Sequence, residues 1–308
     1  MAGRRSQIRV PAAFPRLAGD IRVIARLLND YLRESDVDVP GTLAMDEYGD
    51  ESDFADDQIT HPVGHVILQA QRGLSTAADH MLGVAACIEA EDVIFATMSL
   101  LRPIVTATGT SYHLLDPDIG LRERLRRGWN LELNSLREQL NSLNKQDMPQ
   151  AWERTAIARH QYLVWGRHHG YEQHSKKDRN GETRYWLADG SEDKQPPTDM
   201  RLAEAVLAAV GDGSLGHAVY RFTSAFIHSQ PHSFSLFQRA ENQFDPETPY
   251  AVPLGVSYED LATWVLVTTQ AVYTAASRCG HYYGWDWRDW NQTVDPILSR
   301  WAEDLRPE

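Results

Sequence analysis

The stretch LRERLRRGWNLELNSLREQLNSL, residues 121–143, decides the fold. Its apolar positions Leu125, Trp129, Leu133, Leu136, Leu140 and Leu143 recur at spacings of four and three. At ~100° per residue that spacing gathers them on one helical face. A near-heptad stripe of this kind packs against antiparallel neighbours in a bundle. The same period continues on both sides. Ile21, Ile24, Leu27, Leu28 and Tyr31 share a face within residues 15–34, and Val66, Leu68, Ala70, Leu74, Ala77, Met81 and Leu82 are core candidates within 61–89. Residues 93–115 are apolar on most sides, the pattern of a deeply buried helix, and Leu-Leu-Asp-Pro-Asp at 114–118 stops them.

Further helices are expected at 149–168, at 198–210 with Thr198 as cap, and at 215–229. Another runs over 257–278, where Ser257 with Asp260 reads as a capping box. Trp287, Trp290, Ile297 and Trp301 should seal a last helix onto the body. Residues 169–198 differ: Gly170, Asn180-Gly181, Asp189-Gly190 and Pro196-Pro197 punctuate a β-prone run, Thr183 to Leu187. The expectation is an all-α, multi-helix bundle of eight or nine helices with one short hairpin or loop excursion. Residues 1–14 form an N-terminal extension and 15–308 a single helical domain, with an acidic loop at 35–60 and the excursion at 169–198.

Charge narrows the function classes. The net charge of −13 argues against a non-specific polyanion binder, which releases counterions through a basic surface. Nine of the carboxylates (Asp36, Asp38, Asp46, Glu47, Asp50, Glu51, Asp53, Asp56 and Asp57) lie in one segment without a Lys or Arg. With Pro40, Gly41 and Gly49 and little periodicity, that segment reads as an exposed loop. Cys87 and Cys279 are the two cysteines, which suggests neither a disulfide framework nor a thiolate metal cage and fits a reducing cytoplasm. The basic N-terminus lacks the apolar run of a signal peptide, and no stretch reaches the ~20 apolar residues of a membrane span. Neither the dinucleotide fingerprint nor the P-loop occurs, so no cofactor is expected.

The chemistry-bearing stretch is LGHAVYRFTSAFIHS, residues 215–229. His217, Arg221, Ser224 and His228 fall in a ~60° stripe, with Leu215, Val219, Phe222 and Phe226 opposite. Solvated faces favour Glu and Lys; this one carries two histidines, an arginine and a serine. An imidazole can take a proton from a 2′-hydroxyl or give one to a leaving oxygen, and a guanidinium can hold phosphoryl oxygens as charge builds. The spacing from Arg221 through six residues to His228 resembles the Arg-x(4–6)-His signature of the HEPN superfamily. These are helical proteins common among toxins and antiviral defence systems, many of them metal-independent endoribonucleases. The resemblance implies that Arg221 and His228 are the catalytic pair, completed across a homodimer interface, with RNA as partner. The position after the arginine, often Asn, Asp or His in active members, is Phe222 here. A broader resemblance runs through Ser99–Val105, Tyr112–Arg124 and Tyr220–His228 to a group of uncharacterised helical proteins from actinobacteria, which implies an architecture and no settled activity.

Two other clusters invite a function. Arg122, Arg124, Arg126 and Arg127 form a dense basic patch that spreads over more than half a helix circumference. Some of these should pair with Glu123, Asp116 or Asp118; on the nuclease reading Arg122 and Arg126 are candidates to position an RNA backbone, and otherwise they form salt bridges. His61 and His65 have ligand-compatible spacing for a metal-dependent enzyme, but the His-Glu-x-x-His pattern is absent. His168, His169 and His174 read as a surface loop cluster, and His113 as a hydrogen-bonded core histidine. The alternative to catalysis is a helical interaction protein that uses the 215–229 stripe as a dimer or partner contact.

Overall fold

A computed structural model describes residues 13–35, 39–57, 59–90, 94–178, 181–190, 195–211, 213–228, 230 and 258–305. The expected N-terminal extension up to residue 12, Asp36 and Asp38, the Ser257 cap and the proline-rich stretch 231–253 lie outside the described residues. Within them are ten α-helices: α1 (Ala13–Glu34), α2 (Leu43–Asp50), α3 (Pro62–Glu89), α4 (Ile94–Leu114), α5 (Leu121–Ser142), α6 (Pro149–His168), α7 (Asp199–Ala208), α8 (Gly213–Ile227), α9 (Tyr258–Tyr283) and α10 (Arg288–Asp304). One antiparallel hairpin, β1 (Glu172–Lys177) and β2 (Thr183–Ala188), completes the set, in register from Glu172 opposite Ala188 to Lys177 opposite Thr183. Among the described residues the chain is therefore all-α apart from this hairpin.

The apolar character of α4 explains its place. No residue from Thr97 to Leu115 is exposed, because α3, α7, α8 and α9 all pack around this helix. It runs antiparallel to α3, since Ser111 donates to the Ala70 carbonyl at 2.6 Å while Gly83 faces Leu100. Gly73 permits that approach: a Cβ there would stand 2.7 Å from the Ala107 carbonyl oxygen. On the outer sides α1 lies on α3, and α5 lies against α6, β2 and α3. At the far end Trp290, Ile297 and Trp301 are buried, as their spacing predicts, and Trp287 stacks on Tyr31 with ring centroids 5.9 Å apart. Leu68 departs from expectation. It is 43% exposed because the buried face of α3 follows Val66, Ile67, Ala70 and Leu74, and Leu68 turns away from it. No helix among the described residues is long and apolar enough to cross a membrane.

The acidic segment is the main correction. Leu43–Asp50 is a helix rather than part of a loop, opened by Thr42, whose hydroxyl accepts from Met45 N at 3.2 Å. One of its carboxylates is buried. Glu47 is 7% exposed and accepts from Arg124 Nε at 2.8 and 3.0 Å and from the Tyr282 hydroxyl at 2.8 Å. Arg124, 1% exposed, also donates to the carbonyls of Leu114, Asp116 and Ile119. Burial, with Glu47 beside it, pushes the Tyr282 hydroxyl well above its ordinary value, so it remains a donor. The network joins α2, α5, α9 and the turn after α4. Removing one member of a buried pair strands the other, at a cost of about 3–5 kcal/mol. Arg124→Met should destabilise by that amount in urea unfolding, and adding Glu47→Leu should restore part of the loss; a single variant within about 0.5 kcal/mol of the parent would contradict the network's role.

Candidate functional site

Helix α8 is fixed by its inner face. Val219, Thr223 and Phe226 are buried, Phe222 stacks on Trp264 of α9 at 4.5 Å, and Tyr220 takes a hydrogen bond from Arg102 of α4 at 2.9 Å. An apolar residue after Arg221 thus serves packing. The expected polar stripe faces outward: Arg221 and His228 are exposed, and His217 and Ser224 half-buried. His228 stands one residue beyond the helix and keeps the helical bond, its N–H donating to the Ser224 carbonyl at 3.1 Å. Arg221 and His228 are two turns apart, about 10 Å of axial rise, within which a guanidinium and an imidazole can reach one phosphate. Among the described residues no carboxylate pairs with either.

His217 is different. Its Nδ1 donates to Glu204 Oε1 of α7 at 2.9 Å, and Glu204 Oε2 accepts from Arg201 at 2.8 Å. The hydrogen bond from His217, with that from Arg201, holds the Glu204 carboxyl below the usual carboxylate range. Gly216 makes the contact possible, since a Cβ there would lie 2.6 Å from Glu204 Cα. A carboxylate bound to one ring nitrogen fixes the tautomer and leaves Nε2 for proton transfer. Glu204 was not among the residues singled out from the sequence. Its signal was there: α7 and α8 form a hairpin turning at Val210-Gly211, and 204 and 217 are equidistant from that turn.

The basic patch of α5 is engaged within the fold. Arg122 donates to Asp189 at 2.8 Å and to the His169 carbonyl at 2.9 Å and lies over the Tyr171 ring, clamping the base of the hairpin. Arg126 grips Glu123 with two bonds, 2.6 and 2.7 Å, and Arg127 shares that carboxylate at 2.9 Å. Burial pushes Glu123 up, but these bonds outweigh it and hold it below the usual carboxylate range. Arg126 and Arg127 line a cavity of about 650 Å³ between α5, α7 and the segment after the hairpin, and none of the α8 stripe residues lines it. The two candidate sets are thus placed apart: Arg126 lines the cavity and Arg122 holds the hairpin base, while the stripe lies on the outer face of α8.

The histidine pair diverges. His61 contacts Glu51 at 3.0 Å, whereas His65 packs against the Trp129 and Tyr162 rings, where burial, with Arg72 nearby, lowers its pKa. Among the described residues no group of three or more His, Cys, Asp or Glu side chains is arranged to hold a metal ion. His169 packs at a tilt against Trp165, and His174 stacks on Trp186. No protein-family model, no curated protein and no solved structure matches this chain, so the site is read from its own residues.

His113, at the end of α4, lines the same cavity. Burial, with Arg127 beside it, pushes its pKa down to about 4 from 6.5. Above pH 6.5 neither folded nor unfolded chain holds a proton here, and the contribution to stability is complete. As pH falls, the unfolded chain takes up a proton that the folded chain refuses until about 4, so stability drains across that window. Urea midpoints measured from pH 7 to about 4 should therefore fall less steeply in His113→Gln than in the parent; equal slopes would contradict the buried, neutral assignment.

Proposed function

We propose that the outer face of α8 is a phosphate-directed site that binds and cleaves RNA without metal, in the manner the HEPN resemblance implies. The observation that carries this reading is the pairing state of the stripe: Arg221 and His228 stand exposed on one helical face, free of carboxylate partners among the described residues. In this reading Arg221 holds the non-bridging oxygens of one phosphodiester. One copy's His228 removes the 2′-hydroxyl proton as that oxygen bonds to phosphorus, and the other copy's His228 protonates the departing 5′-oxygen. The products are a 2′,3′-cyclic phosphate and a 5′-hydroxyl. Ser224 borders the phosphate, and His217, oriented by Glu204, supplies a second imidazole. Exposed Ile227, 43% accessible beside His228, suits a homodimer contact. Arg122 and Arg126, held in ion pairs, would act on RNA only at a distance from the α8 face. The resemblance extends the proposal to a toxin or defence component acting in the cytoplasm.

A second reading keeps the same face as a partner contact without chemistry, and exposed Ile227 favours it too. One assay separates the two. Total RNA incubated with the purified chain in EDTA should be cleaved, and His228→Ala and Arg221→Ala should each reduce the rate by about 10²-fold or more. Absence of cleavage in the parent, or cleavage unchanged in both variants, would overturn the catalytic reading. A concentration-dependent mass change abolished by Arg221→Glu, without cleavage, would establish the contact in its place.

A further inference from the structure

The cavity beside α5 has a feature that the α8 reading does not use: among the described residues, and apart from the Gln195 amide, its unspent hydrogen-bonding capacity is mostly donor. Arg126 is consumed by Glu123 and the Leu187 carbonyl, and Asn130 by the Leu187 backbone. Arg127 spends Nε on Glu123 and Nη1 on the His113 carbonyl and Asp116, leaving Nη2 without a partner among the described residues. His113 Nδ1, 3.5 Å from Arg127 Nη1, can only accept from it, so Nε2 of the neutral ring carries the hydrogen. Arg201 bonds Glu204 through Nη1 and has no other side-chain partner among the described residues, its side chain 70% exposed.

The carboxylates at the cavity are already committed. Glu123 serves two guanidiniums and Asp189 is paired with Arg122. Among the described residues three guanidiniums and two carboxylates line this space, and Asp116 and Glu204 reach Arg127 and Arg201 from outside it. Beside Gln195, the remaining wall is apolar. Pro196 and Pro197, the former anchored by Arg184 at 3.3 Å, face Leu131, Leu202 and Ala205. A volume of about 650 Å³ falls in the range of small-molecule sites.

The geometry points to a binding site for a small organic anion, with its phosphate or carboxylate head held by Arg127 and Arg201 and a flat apolar body against Pro196 and Pro197. Arg201 gives the site a route to α8. The same guanidinium that faces the cavity holds Glu204, and Glu204 holds His217. An anion that draws Arg201 inward leaves Glu204 bound to His217 alone, so occupancy alters the imidazole of the α8 face. Only the consequence of this relay rests on the nuclease reading; binding and relay are read without RNA.

Isothermal titration of the full chain with adenosine 5′-monophosphate, benzoate and adenosine tests the site. One or both anions should bind saturably below about 10 mM and uncharged adenosine should not. Arg201→Ala, at an exposed position, should weaken the anion about tenfold with an unchanged unfolding temperature, and Arg127→Lys should weaken it at least as much. Neither anion saturating, adenosine binding as well as the anions, or both variants binding like the parent would overturn the site. For the relay, the bound anion should shift the His217 imidazole resonances in the parent and not in Glu204→Gln; a His217 signal that stays in place in the parent would overturn it.

Discussion

Arg124 and Glu47 form the one charged pair in the described residues that is buried on both sides, and much of the architecture follows from it. A guanidinium taken out of water must have its donors filled, and Arg124 fills them with Glu47 and three carbonyls at the turn after α4. That requirement draws α2 inward, sets where α5 begins, and brings the Tyr282 hydroxyl of α9 onto the same carboxylate. The position of α5 in turn determines what its next turn can reach. Arg126 and Arg127 point to the side where α7 and the segment after the hairpin close the cavity.

The helices were largely legible because their signal is local. Stripes at the 3.6 period, the Thr198 cap and the apolar run of residues 93–115 each reflect burial that a single element must achieve. What escaped was tertiary. Nothing within residues 39–57 shows that Glu47 has its counter-charge 77 positions away, so a segment dense in acid reads as a loop when one of its helices is anchored. Leu68 was expected in the core because it is apolar, yet helical phase puts it outside. The cavity is assembled from pieces of α4, α5, α7 and the stretch after the hairpin, and no window of sequence contains it.

The candidate site divides in the same way. The stripe of α8 was legible as a face, since spacing alone sets it. Its electrostatic state was not: that His217 is claimed by Glu204 while Arg221 and His228 have no carboxylate partner among the described residues depends on which helix lies alongside. The α7–α8 hairpin supplies that neighbour through close contact at Gly216, and α4 with α9 holds the inner face through Tyr220 and Phe222. A packed inner face and, among the described residues, an Arg221 and a His228 without carboxylate partners are what the proposed phosphate-directed site uses, because the helix is held in place before the ligand arrives.

The central claim is that RNA meets the chain at α8. Histidine side-chain NMR of the full chain, titrated with a short RNA whose 2′-hydroxyls are methylated to prevent cleavage, tests it most directly. The account predicts that the His228 imidazole signals move, with His217 following, that half-buried His65 and His113 stay in place, and that Arg221→Ala suppresses the change. A His228 signal unmoved at saturating RNA, or one that moves equally in Arg221→Ala, would contradict it.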